Sequence, residues 1–255
     1  MLRGLHVDGM CYNREMTVVG RVWVIALGYW LVLSVICILW CPATAADMTF
    51  RYAPMADAFA RGDWQYAFHP RFGVLFMAFS GSIGWLTGLN GIHSCQVAAI
   101  GFLALSAVPV WCLVARLFDE RAAWVAVAMT LCSIEVFVYA IDGLRDTGRT
   151  LGMALCAFAF VCNRSWVMAL GLLVLSTLRT DLMSVSGVLL GVWWLWKLYR
   201  REWRSLVLPT IAWALGIFLM CALNHAYTGS WLPVGKMVKM YEQQGRHEAV
   251  WEEGK

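Results

Sequence analysis

Apolar and polar residues follow one another in long blocks along this chain, not in the short periods of a water-soluble fold. The apolar blocks run to roughly 18 to 25 residues, the length of helix that crosses the hydrocarbon core of a bilayer. They predict crossings at about 22–41, 94–115, 122–141, 148–162, 165–178, 182–198 and 206–226. The fourth and fifth are short, which implies a tilt-free fit or a locally thin bilayer. A further apolar stretch, residues 72–89 (FGVLFMAFSGSIGWLTGL), is also short and is rich in glycine and serine.

Charge decides how that stretch is read. If 72–89 does not cross, the basic cluster Lys197–Arg204 falls on the same side as Arg3 and Arg14, and that side is cytoplasmic by the bias of short loops. If it does cross, the order inverts downstream and the cluster faces outward. The bias selects seven crossings, with 72–89 as a half-buried or re-entrant outer helix. Irregular backbone there is tolerable only under protein cover. The expected fold class is therefore an all-α polytopic membrane protein with about seven transmembrane helices and amphipathic helices in a large first extracytoplasmic loop. Residues 1–21 form a cytoplasmic tail, 22–226 the membrane module with its outer loop at 42–93, and 227–255 an extracytoplasmic tail. The expected location is the inner (plasma) membrane, with the N-terminus cytoplasmic. A secretory signal is the alternative for the first run, because Ala43-Thr44-Ala45 has the small-x-small cleavage form, but the run is longer than an ordinary signal core.

Composition agrees. Of 255 residues, 61% are hydrophobic and 14% charged, against about half and about a quarter in soluble domains. The net charge of +4 comes from scattered basic residues, so no nucleic-acid surface is indicated. The nine cysteines contain no CxxC and no zinc spacing; most lie in apolar blocks, where cysteine behaves as a small hydrophobe. Several of the 15 tryptophans stand near block ends, as interfacial anchors do.

The most informative polar stretch is Asp47–Arg71, DMTFRYAPMADAFARGDWQYAFHPR, just after the first apolar block. Met48 to Arg61 reads as a membrane-surface helix with Phe50, Ala53, Ala56 and Ala60 on its apolar stripe and Met55 and Phe59 beside it. Asp47 or Thr49 is placed to cap it, and Gly62-Asp63 ends it. The seven-crossing arrangement sets Asp47, His69, Asp142, Arg145, Asp146, Arg149, Arg179, Asp181 and Lys236 on one face. Charges at span ends are costly unless paired or hydrated, so the set points to a hydrated cavity at the outer leaflet. The plainer reading is that helix ends are polar because they leave the membrane.

Single residues carry alternatives of the same kind. Asp47 is a candidate general base, if desolvation raises its pKa, or simply an N-cap. His69, before Pro70, is a candidate metal ligand or proton shuttle, or a structural histidine; a divalent metal is the one cofactor the residues raise. Asp146 opens a helix, where an acid also favours the dipole. Arg145, Arg149 and Arg179 suit a phosphate. Glu135 lies within the third crossing, facing the same cavity or paired with an arginine.

In order and placement these features resemble the GT-C superfamily of membrane glycosyltransferases, in particular the group holding the lipid A aminoarabinose transferase and the protein O-mannosyltransferases. The resemblance covers roughly residues 20–240. It rests on Asp47 after the first span, Tyr52, the Gly62-Asp63-Trp64 turn, His69-Pro70 ahead of Phe72–Leu89, and Ala115-Arg116-Leu117-Phe118 with Arg121-Ala122-Ala123. Arg145-Asp146, Arg179-Thr180-Asp181, and Gly229-Ser230-Trp231-Leu232-Pro233 with Lys236 complete it. Met48 stands where relatives often have a second acid, the tyrosine falls one position from the register expected, and His69 replaces an acid of the aminoarabinose transferases. The resemblance implies transfer of a sugar from a polyprenyl-phosphate donor to a lipid, glycan or protein acceptor hydroxyl. Asp47 would be the base, Asp146 would orient acceptor or cation, and Arg145, Arg149, Arg179 and Lys236 would meet the phosphate. Membrane lipids are partners by necessity. A non-catalytic transporter, flippase or scaffold subunit is the alternative; inverted repeats, its usual mark, are not evident.

Overall fold

A computed structural model describes residues 9–40, 45–68, 73–229 and 231, with side chains described from Val18 onward except that of Thr228. His69 and Lys236 lie outside the described residues. Every described element is helical: α1 (Gly9–Trp40), a π-helical turn (Met48–Tyr52), α2 (Ala53–Ala60), α3 (Trp64–Ala67), α4 (Val74–Thr87), α5 (Gly91–Leu117), α6 (Glu120–Cys132), α7 (Ile134–Ile141), α8 (Asp146–Cys162), α9 (Ser165–Leu178), α10 (Leu182–Tyr199) and α11 (Arg204–Thr228). Four helical stretches are long and apolar enough to cross a membrane: Val18–Trp40, Gly91–Leu117, Leu182–Tyr199 and Arg204–Tyr227. A fifth crossing exists if α6 and α7, bent by 48° at Ser133, count as one. The stretches expected to cross at 148–162 and 165–178 are helices of 17 and 14 residues.

Burial explains the short ones. α5 is the central helix, buried along most of its length, and α8 and α9 pack beside it and each other. Gly148, Gly152 and Gly171 allow this: an added methyl would meet Leu178 at 2.8 Å, Leu175 at 2.7 Å and Cys156 Sγ at 2.7 Å respectively. Small residues permit the close helix approach that membrane bundles use in place of a hydrophobic drive. The outer helices are apolar on the face turned away from protein: Leu31, Val32 and Leu39 on α1 and Val207, Ile211, Leu215 and Phe218 on α11 are exposed. Such an apolar surface requires lipid or another apolar partner.

Several polar groups inside the bundle are satisfied locally or across helices, whereas the buried Ser34 Oγ and Trp111 Nε1 find no hydrogen-bond partner among the described residues. Ser80, Ser106, Thr177 and Ser186 donate back to carbonyls of their own helices. Trp30 Nε1 donates to the Val97 carbonyl at 2.9 Å, Tyr29 to the Leu131 carbonyl at 2.9 Å, and Trp213 Nε1 to Ser186 at 3.0 Å.

The helix termini collect at two ends. At one end, Asn163, in the left-handed conformation, and Glu202 both bond the buried Lys197 ammonium, which also lies 4.8 Å above the Trp193 ring. This clamp joins the α8–α9 turn to the α10–α11 turn, and the Lys197 hydrogen bond holds the Glu202 carboxyl below its ordinary range. At the other end lie Asp47 and the π-helical turn, the start of α5, the α7–α8 turn, and the α9–α10 turn. Both ends of α4 belong to this second end: Gly73 sits against the Leu178 carbonyl, and Gly88 is followed by Asn90, which caps α5 by accepting from His93 N–H at 2.9 Å.

The predicted surface helix over Met48–Arg61 forms in two parts, and Gly62 ends it at φ +81° as expected. Two details differ. Asp47 is already helical (φ −61°, ψ −33°) and makes no cap hydrogen bond. Phe50 is 78% exposed, because the wider π-turn shifts the apolar phase to Met48, Tyr52, Ala53, Met55, Ala56 and Ala58.

The joint between this segment and α5 is a backbone-on-backbone contact: a Cβ at Gly91 would lie 2.0 Å from the Ala53 carbonyl oxygen. Gly91→Ala is therefore expected to destabilise the protein by about 1–3 kcal/mol, whereas Gly28→Ala on α1, with open space around it, is neutral. Thermal unfolding of the two variants in the same detergent checks this; equal midpoints would contradict the close contact.

Candidate active site

Tyr52 is the centre of the polar end. It is nearly fully buried, edge-on to Phe76 at 5.9 Å, with the Arg145 guanidinium 5.6 Å from its ring centroid. Burial pushes its phenol pKa up; Arg145 opposes that rise, Asp47 and Asp146 add to it, and Arg179 opposes it. Four sequence-predicted residues thus act electrostatically on Tyr52, although they come from the first loop, the α7–α8 turn and the α9–α10 turn.

Each is held by its local backbone. Arg145 precedes α8 and is 9% exposed. Burial lowers its pKa, partly offset by Tyr52 and by Asp146 and Asp181, and an arginine remains a cation under such shifts. Asp146 begins α8, where the helix dipole favours an acid. Its carboxylate accepts from Arg179 Nη1 at 3.0 Å, and Arg179 Nε donates to Asp181 at 2.8 Å. Arg179 is half-buried; burial works against its charge, but the Asp181 hydrogen bond and the charges of Asp181 and Asp146 raise its pKa. The pair Asp146–Arg179 ties the N-terminus of α8 to the segment leaving α9.

Asp47 is more open. Its side chain is 54% exposed and accepts from Arg51 Nη1 at 2.6 Å, one turn on. An exposed pair at this spacing is worth only about 0.3–0.5 kcal/mol. Arg51 also faces a cavity of about 380 Å³ walled by Phe50, Met55, Asp63, Tyr66 and Tyr227. Asp63 caps the start of α3 there, accepting from Tyr66 N–H at 3.2 Å, and Trp64 stacks on Phe68. The Gly-Asp-Trp turn is thus a capped turn whose Asp63, with Gln65 and Tyr66 just after it, walls the cavity.

Other candidates fall elsewhere. Arg149 is exposed on α8 and, with Asp146, acts electrostatically on Tyr139 of α7. Glu135, expected to face the cavity or an arginine, is exposed and accepts from Tyr139 at 3.2 Å. Among the described residues no group of three or more His, Cys, Asp or Glu side chains converges on a metal position. Arg51 and the cavity lining went unread as site residues, yet Asp47-x-x-x-Arg51 has the one-turn spacing that brings side chains together on a helix.

If Asp146–Arg179 holds the site together, Asp146→Asn and Arg179→Gln each lower thermal stability, and the double variant loses less than their sum, with a coupling of about 1 kcal/mol. Asp181→Asn, at a more exposed carboxylate, costs less than either. Additive single effects would show that the pair contributes nothing of its own. No family model, curated protein or solved structure matches this chain.

Proposed function

We propose that this chain is an inverting, GT-C-type membrane glycosyltransferase that moves a sugar from a polyprenyl-phosphate donor to an acceptor hydroxyl at the outer face of the membrane. The observation that carries the reading is the gathering of Asp47, Tyr52, Arg145, Asp146 and Arg179 at one end of an apolar bundle, next to an open cavity of about 380 Å³. A buried cation beside exposed and half-buried carboxylates is costly in a membrane protein unless it serves a polar ligand.

The acceptor hydroxyl attacks the anomeric carbon and its proton passes to the Asp47 carboxylate. The bond from that carbon to the phosphate oxygen breaks, and its electron pair leaves with the polyprenyl phosphate. Arg145 and Arg179 supply the positive potential that favours the leaving phosphate. Asp146, oriented by Arg179, positions the acceptor. The prenyl tail runs beside α4, where a small apolar crevice opens between Trp23, Leu27 and Trp30 of α1, Phe79 of α4 and Leu105 of α5.

The membrane arrangement that goes with this reading has seven crossings, α1, α5, α6 with α7, α8, α9, α10 and α11. The N-terminus and the Lys197 clamp are cytoplasmic and α4 is a non-crossing outer helix. Support comes from the siting of both α4 termini at the polar end and from the burial of the two short helices, which rest on protein and need less lipid-length apolar surface.

Two measurements test these two parts. In intact cells, an impermeant thiol reagent is expected to label Gln65→Cys and to spare Tyr199→Cys; equal labelling of both would remove the seven-crossing topology. In proteoliposomes supplied with a polyprenyl-phosphate sugar, Asp47→Asn is expected to lower transfer by roughly 100-fold or more, the scale of a lost general base. Full transfer by that variant would sink Asp47 as the base.

A further inference from the structure

Among the described residues, Arg51 is the one side chain shown both to hold Asp47 and to face the cavity. We propose that the Asp47–Arg51 pair is an exchangeable mask: a phosphate headgroup entering the cavity takes the Arg51 guanidinium, and Asp47 is released for proton transfer only then. The inference rests on the reading of Asp47 as a base for its catalytic consequence, but the exchange itself is a binding event with its own readout.

Three features favour exchange over a fixed structural pair. The pair is exposed, with 40% of the Arg51 side chain and 54% of the Asp47 side chain open, so water already weakens it. A phosphate presents more acceptor oxygens to a guanidinium than one carboxylate does and favours two-pronged bonding. And the π-helical turn that carries Arg51 departs from regular helix at this place, as such turns frequently do at functional sites.

The rest of the lining suggests what accompanies the phosphate. Tyr66, Phe50 and Tyr227 offer ring faces, and Asp63 and Gln65 offer polar groups. Rings give a wall for the apolar face of a sugar, and the carboxylate and amide give acceptors and donors for hydroxyls. The occupant is a phosphate ester bearing a hydroxyl-rich group. Asp63 makes the cavity less welcoming to a second negative charge, which places the phosphate at the Arg51 side.

In this arrangement the two members of one ion pair have opposite effects on binding. Removing Arg51 removes the anion's partner. Removing the Asp47 charge takes away an acceptor that competes with the anion for Arg51 and tightens the anion. A pair that only staples the turn would make both losses act in the same direction.

The experiment titrates the full chain, in detergent, with citronellyl phosphate, a short soluble prenyl phosphate, and follows binding by calorimetry. Citronellol, which lacks the phosphate, and phosphatidylglycerol vesicles serve as comparisons. Arg51→Gln is expected to weaken citronellyl phosphate binding at least tenfold, Arg51→Lys less, and Asp47→Asn to tighten it severalfold. A matching preference for phosphatidylglycerol would identify a general phospholipid headgroup as the source of the phosphate, with Arg51 still its partner. Weaker binding in both Asp47→Asn and Arg51→Gln, or equal binding of citronellol, overturns the exchange. Thermal unfolding of each variant separates loss of binding from loss of fold, and Arg51→Lys keeps the test open if Arg51→Gln unfolds. If the binding signs hold while no sugar is transferred by the unaltered protein, the glycosyltransferase reading fails and the exchange stands.

Discussion

The polar end depends on how closely one irregular turn is pressed against the buried helices. Met48 is fully buried, and a Cβ at Gly143 would fall 1.9 Å from its Cε. Gly143 takes a positive φ of 68°, so the α7–α8 turn can bring its backbone over Met48 and against Cys95 and Gln96 of α5. One turn on, Tyr52 packs on Phe76 and under Arg145. Were the turn to lift, Arg145 would lose its aromatic cover, and Asp47 would no longer lie at the same end as Asp146. The charges are assembled by packing; ion pairing only trims their directions.

Packing of this kind also explains why lipid-length rules describe some helices and not others. α1 and α11 show apolar surface to the outside and have full crossing length. α8 and α9 are covered by α5, α11 and each other, so protein meets much of the need for apolar contact. A segment in that position can be short, and can begin with Asp146 paired to Arg179, without the cost that charge would have on a lipid-facing helix. Glu135 follows the same logic from the other side: exposed on the bent α7, it finds Tyr139 on its own helix.

Much of the helical order was legible in the sequence because block length and glycine placement are local signals. The apolar runs place α1, α5, α10 and α11, and Gly62 marks a helix end that forms with the left-handed backbone it permits. What was not legible is phase and pairing. The Arg179–Asp146 bond joins residues 33 apart and exists only once α8 and α9 lie against each other. Lys197 reads as one charge of a cytoplasmic cluster, yet it is buried among Trp193, Trp196, Asn163 and Glu202. Asp47 reads as a cap because acids favour that position. A residue whose backbone is already helical has no reason to cap, and its carboxylate turns to Arg51 instead.

The same turn sets the surface beside Asp47. In a regular helix each residue advances by about 100°, whereas a π-helical turn takes in an extra residue as a local bulge and lets the flanking helix keep its phase. Here the bulge spans Met48–Tyr52. Tyr52 is buried under Arg145, and Ala53, Met55 and Ala56 continue the buried face of α2. Phe50 is turned outward, into the wall of the cavity. The bulge thus keeps the buried contacts of the flanking helix while it gives the surface next to Asp47 a shape that a regular helix would not.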